Sequence, residues 1–393
     1  MIALLAPLLA ASSVQVGLER LEAEKGGPLR GLRVGLVAHA ASVTADGRHA
    51  IDVLRKSGID VRRLFGPEHG LRSQAAAGEK LPGGVDPESG LPVVSLYGER
   101  TKPDANALRD LDALVVDLQD AGVRFYTYVS TMILCLQAAA EAGIELIVLD
   151  RPNPLGGEHM EGPVRDPALP PSLVSLAPGP LVHGLTLGEM ARLVNAGLPR
   201  PARLTVVAMR RWRRPMTWAE TGRRWIPPSP NLRTAEAAVA YPGVCLLEAT
   251  TVSEGRGTDA PFLLFGAPWM KPEETARAVR VDGFRLEPAS FTPTASAAAP
   301  SPKYLGVACR GLRVVVTDAH AARPYAFGLA LLEALGKQPE FQWTRDGAGL
   351  DTLLGTRRVR EALERGDSVG AVLAADQPAL EAFARDRQRA LLY

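Results

Sequence analysis

The chain has 393 residues, of which 46% are hydrophobic and 22% charged, a composition that fits a globular protein of about two domains and excludes a disordered one. Its 45 basic and 43 acidic residues nearly cancel, and the basic run Met209–Pro215 is too short to indicate a nucleic-acid surface. The three cysteines are far apart and form no C-x-x-C pair, so neither a zinc ribbon nor a redox pair is indicated.

The N-terminal residues 1–13, MIALLAPLLAASS, form an apolar run that ends in small residues. This pattern resembles the hydrophobic region and cleavage site of a signal peptide, although no Lys or Arg precedes the run. We therefore expect an exported protein, periplasmic or secreted; without cleavage of this segment the protein would be cytoplasmic. No later segment is long and apolar enough for a transmembrane helix, so no membrane span is expected.

From Arg33 onward, short apolar runs alternate with helical patterns. Strands are predicted at Arg33–Ala38, Asp60–Phe65, Leu91–Tyr97, Asp112–Leu118, Ile144–Asp150 and Arg203–Met209. Helices are predicted at Gly47–Gly58 with Asp46 as its cap, at about 130–143, and at Leu185–Gly197. Strands that alternate with helices favour an α/β fold with a Rossmann-like, doubly wound and mostly parallel sheet.

The pattern becomes less regular after Tyr241. The turn-rich stretch Pro227–Thr234 suggests a boundary between a Rossmann-like catalytic domain at 14–238 and a smaller α+β domain at 239–393 that closes the cleft. The smaller domain is predicted to contain a strand at Leu312–Asp318 and helices near 325–336 and 357–385. The stretch Pro288–Pro302, rich in Pro, Ala and Ser, is predicted to be an extended surface loop.

Three of the predicted strands each end in a loop rich in polar side chains. These loops are Gly66–Gly70, Gln119–Tyr128 and Arg151–Gly157. Because ligands bind outside the carboxyl ends of the strands in an open parallel sheet, we expect the loops to form one polar pocket.

Several familiar cofactor and catalytic motifs are missing from the sequence. No G-x-G-x-x-G follows the first strand and no G-x-x-x-x-G-K-[ST] occurs, so the backbone offers no evident cradle for a nucleotide. The serine-hydrolase motif G-x-S-x-G and the zinc motif H-E-x-x-H are also absent, and the histidines lack ligand spacing. The sequence therefore predicts neither a metal ion nor a cofactor.

The remaining candidates for catalytic groups are carboxylate side chains. Glu68 lies between Pro67 and His69, with glycines on both sides that allow a substrate to approach closely. Asp120 and Glu254 are further candidates, because glycoside hydrolysis commonly uses a pair of carboxyl groups. Each has an alternative role, since Asp120 precedes Arg124 by four residues and Glu254 precedes Arg256 by two, and such pairs can simply shape a loop.

The segments FGPEHGL, GLPVVSLYG, DLQDAGVRFYTYVST, LDRPNPLGG, VHGLTLGEMA, PPSPNL and YPGVCLLEATTVSEGRGTDAPF resemble the signature segments of the NamZ-type exo-β-N-acetylmuramidases. This glycoside hydrolase family was formerly a domain of unknown function. The resemblance implies a Rossmann-like domain followed by a smaller one, with the active site between them. It also implies removal of N-acetylmuramic acid from the non-reducing end of peptidoglycan fragments. The sequence departs from the family at GLVAHA, where His39 and Ala40 replace two amide side chains, which bears on substrate preference more than on the reaction.

The resemblance assigns site residues by position. It places the catalytic acid at Glu68, next to His69, and leaves the second carboxylate open between Asp120, Glu254 and assistance by the acetamide of the substrate. An arginine fork suits the lactyl carboxylate of a muramyl saccharide, and a tyrosine can stack on the sugar ring. The candidate substrate-binding residues are Tyr97, Arg124, Tyr126, Tyr128, Arg151, Asn153, His183, Asn231 and Arg256.

Three functions remain to be compared. The leading hypothesis is an exo-acting glycosidase that uses Glu68 for acid/base catalysis on muramyl saccharides. A protein of the same fold that binds an acidic sugar without cleaving it would not need the Glu68 carboxyl group. A hydrolase for an amide or ester bond in the same cell-wall fragments would need an activated nucleophile or a metal, and the sequence indicates neither.

Overall fold

The computed structural model describes residues 13–393, so the N-terminal apolar run, apart from Ser13, lies outside the described residues. Within them, the larger sheet has seven strands in the order β3-β4-β2-β1-β5-β6-β7. Their bounds are β1 Arg33–Ala38, β2 Asp60–Gly66, β3 Gly84–Val85, β4 Pro92–Ser95, β5 Ala113–Asp117, β6 Glu145–Leu149 and β7 Arg203–Val207. All neighbouring strands are parallel except β3, which pairs antiparallel with β4 at the edge. Without β3, this is the strand order of dinucleotide-binding folds, and the chain reverses direction across the sheet between β1 and β5.

Helices cover both faces of this sheet. They are α1 Gly17–Ala23, α2 Ala50–Lys56, α3 Ala105–Leu108, α4 Thr127–Ala142 and α5 Leu187–Gly197. Strand β5 is buried along its whole length, as expected for a central parallel strand with helices on both sides. The predicted α/β fold with a mostly parallel sheet is therefore confirmed.

The predicted N-cap of α2 is wrong. Asp46 lies in a turn, where it accepts hydrogen bonds from Thr44 and Arg48, and the helix begins three residues later than predicted, at Ala50. The cap is His49, whose side chain accepts from the N–H of Ile51 at 3.3 Å. The short antiparallel bridge between Val43 and His49 holds the chain extended up to this point.

The C-terminal part of the chain contains a second, antiparallel sheet in the order β8-β10-β9. Its strands are β8 Leu264–Ala267, β9 Phe284–Phe291 and β10 Cys309–Val316, and its helices are α6 Ala235–Val244, α7 Pro272–Ala278, α8 Pro324–Gly336, α9 Ala348–Leu354, α10 Arg358–Glu364 and α11 Val369–Arg387. The predicted loop at Pro288–Pro302 is wrong at its start, because residues 288–291 belong to β9. Pro288 is tolerated there because β9 is an edge strand.

The two parts of the chain share one hydrophobic core, which includes residues of β5, α4, α6 and α8. Helix α6 spans the predicted domain boundary at residue 238. It packs against α8 at Gly243 and Gly328, where a Cβ on Gly243 would lie 2.2 Å from the carbonyl oxygen of Pro324. Only glycine at Gly243 allows the two helix backbones to come this close.

The last residue of the chain is tied to the larger sheet. The Tyr393 hydroxyl donates to Asp150 Oδ2 at 2.7 Å and accepts from the N–H of Met209 at 2.8 Å. Asp150 follows β6 and is fully buried, and this burial raises its pKa to about 6. Among residues 13–393, no helix is both long and apolar enough to cross a membrane.

A buried carboxyl group links the two parts of the chain and makes stability depend on pH. Glu161 Oε2 accepts from the N–H groups of Tyr325 and Ala326 at 3.1 and 3.2 Å, at the start of α8. Burial raises the pKa of Glu161 from 4.5 to about 7. Because the folded protein holds this proton more tightly than the unfolded chain, the contribution of Glu161 to stability falls as the pH rises from about 4.5 through about 7.

We therefore predict that Glu161→Gln, which stays neutral and keeps an acceptor for the helix, removes this loss. The free energy of unfolding of the variant relative to the wild type should increase by up to about 3 kcal/mol between pH 4.5 and pH 8. Urea denaturation at both pH values measures this difference in the free energy of unfolding, and Glu158→Gln at an exposed position is the control. A difference between variant and wild type that does not change with pH would contradict the assignment.

Candidate active site

The Glu68 carboxylate is held by two hydrogen bonds, one from the loop that follows β2 and one from helix α4, which follows β5. Strand β2 ends at Gly66, and the chain then turns through His69 and Gly70, both at positive φ (68° and 77°). Glu68 Oε1 accepts from the N–H of Gly78 at 3.0 Å, and Glu68 Oε2 accepts from the Thr127 hydroxyl, at the start of α4, at 2.8 Å. A carboxylate held through both oxygens and only 9% exposed has a defined position.

A cavity of about 120 Å³ lies against this carboxylate. Its wall combines residues from both parts of the chain, among them Glu68, His69, Tyr126, Asn231, Glu248 and Arg256. Two of the buried polar atoms on these side chains, Tyr126 Oη and Asn231 Oδ1, have no hydrogen-bond partner among the described residues. Because buried polar atoms normally have a partner, these two are suited to bind a ligand.

A cluster of charges contributes to the cavity wall. The Arg256 guanidinium donates to Glu248 Oε1 at 2.5 Å and lies 3.3 Å from Glu254 Oε1. Burial alone would lower the pKa of Arg256, but the charges of Glu248 and Glu254 raise it above its usual value. Lys303 Nζ lies 3.2 Å from Glu254 Oε2, so two cations and two carboxylates balance each other. Glu254 is therefore part of an ion-pair cluster behind the wall, and Glu248 lines the cavity itself.

Two further predicted residues lie close to Glu68: His69, which lines the cavity, and Tyr97, which does not. His69 Nδ1 is 2.8 Å from the carbonyl oxygen of Ala75, and burial lowers the pKa of His69, so the imidazole is neutral at pH 7. The pKa of Tyr97 is raised to about 12 by burial and by the neighbouring Glu68 charge.

Asp120 and His183 face each other away from the cavity. The Nε2 atom of His183 lies 3.7 Å from Asp120 Oδ2, which accepts from the N–H of Gly122 at 2.8 Å. His183 Nδ1 accepts from the N–H of Leu185 at 3.2 Å. The alternative ion pair between Asp120 and Arg124 is not formed, and the Nη1 and Nη2 atoms of Arg124 donate to backbone carbonyls instead.

Four predicted substrate-binding residues have their polar groups occupied by the protein. Arg124 is fully buried and donates to the carbonyl oxygens of three separate segments, at Pro163, Gly179 and Leu354. Tyr128 donates to the carbonyl of Pro228 at 2.7 Å, and Asn153 donates to that of Leu185 at 3.0 Å. Arg151 forms a bidentate pair with Asp117. None of these four residues lines the cavity next to Glu68.

Sequence reasoning missed Glu248. This residue lies in a short 3₁₀ turn, Cys245–Ala249, which continues directly from α6. Its one signal was a single carboxylate in the otherwise apolar run from Tyr241 to Ala249. Over residues 13–393, no group of three or more His, Cys, Asp or Glu side chains could hold a metal ion.

Comparisons with known proteins match nearly the whole chain. Residues 34–236 match the family model described as exo-beta-N-acetylmuramidase NamZ, N-terminal, and residues 239–393 match the corresponding C-terminal model. The peptidoglycan beta-N-acetylmuramidase NamZ of Bacillus subtilis (strain 168) is 40% identical over 386 residues, which cover 97% of this chain and 91% of that protein. Two crystal structures of DUF1343 family proteins from Bacteroides fragilis NCTC 9343 have TM-scores of 0.87 and 0.79, each at 31% identity and covering 97% of this chain and 99% of the other.

The position of Arg124 predicts a structural effect on substitution. Arg124→Met leaves three buried carbonyl groups without their donor, so we expect the free energy of unfolding to fall by about 3 kcal/mol or more. Urea denaturation measures this loss, with the exposed Arg200→Met as the control. A variant with unchanged stability and weakened ligand binding would instead place Arg124 in the binding site.

Proposed function

The chain belongs to the exo-β-N-acetylmuramidase NamZ family and is a glycosidase, and we propose that it releases N-acetylmuramic acid from the non-reducing end of peptidoglycan fragments with Glu68 as its general acid. The observation that carries this proposal is the fixed Glu68 carboxylate on the wall of a small cavity. An exo-acting enzyme needs a pocket that accepts one terminal sugar. A cavity walled by both parts of the chain suits that requirement better than a long open groove would.

Glu248 is our candidate for the second carboxylate. It lines the same cavity as Glu68, whereas Asp120 and Glu254 do not. In this role Glu68 protonates the leaving oxygen, and Glu248 activates the attacking water or stabilises the positive charge that develops on the sugar. The hydrogen bond from Arg256 orients Glu248 towards these tasks.

The cavity also offers groups that match the two substituents of N-acetylmuramic acid. Arg256 is the one arginine among the wall residues, and a guanidinium can bind the lactyl carboxylate bidentately. Asn231 Oδ1 can accept from the acetamide N–H, and the Tyr126 hydroxyl can donate to the acetamide carbonyl.

The first test is Glu68→Gln, assayed by release of free N-acetylmuramic acid from an oligomer with this sugar at its non-reducing end. The amide oxygen can still accept from the N–H of Gly78, and the Thr127 hydroxyl can rotate to accept from the amide NH2. The amide cannot donate a proton as an acid, so we expect turnover to fall by a factor of about 10² or more with binding retained. If the folded wild type binds the sugar but releases none, the protein is a binder and the proposal fails.

A second test addresses how Glu68 is positioned. Thr127→Val removes the hydroxyl that donates to Glu68 Oε2, and we expect kcat to fall about tenfold with little change in KM. Thr131→Val is the matched control, since its hydroxyl lies one turn later in α4 and donates to the carbonyl of Thr127. Equal effects of the two substitutions would show that the loss comes from the helix and not from Glu68.

A further inference from the structure

A second cavity lies at the point where the strand order of the sheet reverses. Its volume is about 170 Å³, and its wall combines the loop Ala41–Gly47 after β1, Gln119 after β5, Arg151 after β6, and residues of the segment Trp218–Ile226. In doubly wound sheets, ligands bind at this crevice between the first strand and the strand that follows the reversal. The catalytic cavity next to Glu68 shares none of these wall residues.

Buried side chains separate the two cavities. Tyr128 donates to the carbonyl of Pro228, and its ring contacts the ring of His39 edge to face at 4.9 Å. The Nε2 atom of His39 accepts from the N–H of Gln119 at 2.9 Å. The second cavity is therefore a separate compartment, one layer of side chains away from Glu68.

One cation on the wall of the second cavity has no partner among residues 13–393. Arg151 is paired with Asp117 and Arg223 with Glu19, and Asp46 pairs with Arg48, which also contacts Glu22. Arg224 is exposed and forms no ion pair or hydrogen bond with any residue from 13 to 393. Burial lowers the pKa of Arg223, although the charge of its partner Glu19 acts in the opposite direction.

A buried donor without a partner lines the same wall. Trp218 is only 8% exposed, and its Nε1 atom has no hydrogen-bond acceptor among the described residues. An indole N–H can only donate, and a guanidinium has donors and no acceptor. A ligand that satisfies both groups must therefore carry acceptor atoms, and the oxygens of a carboxylate or phosphate would also form an ion pair with Arg224.

We propose that this cavity is a second binding site, which takes the carboxylate or phosphate group of a small anionic ligand through Arg224 and the Trp218 indole N–H. Two sources supply such a group: inorganic phosphate, and the lactyl carboxylate of N-acetylmuramic acid. The second source rests on the proposed function, and the first does not.

The test is isothermal titration calorimetry at low ionic strength in a buffer free of phosphate. Sodium phosphate and N-acetylmuramic acid are titrated separately into wild type, Arg224→Gln and Trp218→Phe, with uncharged N-acetylglucosamine as the ligand control. Arg200→Gln is the matched control variant, because Arg200 is also an exposed arginine but does not line the cavity. Arg224→Gln changes an exposed side chain, so it should fold normally.

We expect at least one of the two anions to bind wild type and Arg200→Gln alike, and Arg224→Gln and Trp218→Phe each to weaken that binding about tenfold or more. Loss of phosphate binding identifies the first source. For N-acetylmuramic acid, which also binds the catalytic cavity, loss of one of two binding events identifies the second. The proposal is overturned if neither anion shows binding that both substitutions weaken, whatever the muramidase assay shows.

Discussion

The hydrogen bond from the Thr127 hydroxyl to Glu68 joins the start of α4 to the loop that follows β2, and the geometry of the site depends on this bond. Glu68 follows β2 and Thr127 begins α4 after β5, and both strands are hydrogen-bonded to β1, one on each side. A parallel sheet with this strand order brings the carboxyl ends of β2 and β5 to the same edge, about two strand spacings apart. The distance from Glu68 to the start of α4 is thus set by the sheet, and the side chains make the final contact.

The second part of the chain completes the cavity because it is packed into the same core. Arg124 shows how firmly the parts are joined, since its guanidinium reaches carbonyl oxygens at Pro163 and Gly179 on one side and Leu354 on the other. A buried guanidinium is costly unless its donors are satisfied, and two of its three nitrogen atoms are. With the parts packed together in this way, Glu248 and Arg256 line the same cavity as Glu68.

Much of the fold could be predicted because the signal is local. Buried parallel strands such as β5 read as continuous apolar runs, and the loops at their carboxyl ends share one edge of the sheet. The position of these loops correctly predicted that Glu68 and Tyr126 lie at a common site. The sequence could not show that Arg256 lines the cavity while Arg124 and Arg151 do not, because burial and distant partners decide the role of each guanidinium. Glu248 was missed for the same reason: it reaches the cavity only through the packing of α6 and the 3₁₀ turn that follows it.

The Glu68 cavity does not occupy the crevice between β1 and β5, where sheets of this strand order commonly bind their ligands. Nucleotide-binding sheets keep that crevice open with a glycine-rich turn after the first strand. Here the turn begins instead with His39, which is fully buried and whose burial keeps its pKa well below the usual value. A neutral His39 accepts from Gln119 and packs against Tyr128, so the bottom of the crevice is filled with side chains. These side chains divide the crevice. The Glu68 cavity lies on the side of the second sheet, and the second cavity lies at the loop that follows β1. In this way, the side chain that follows β1 helps to separate the Glu68 cavity from the second cavity.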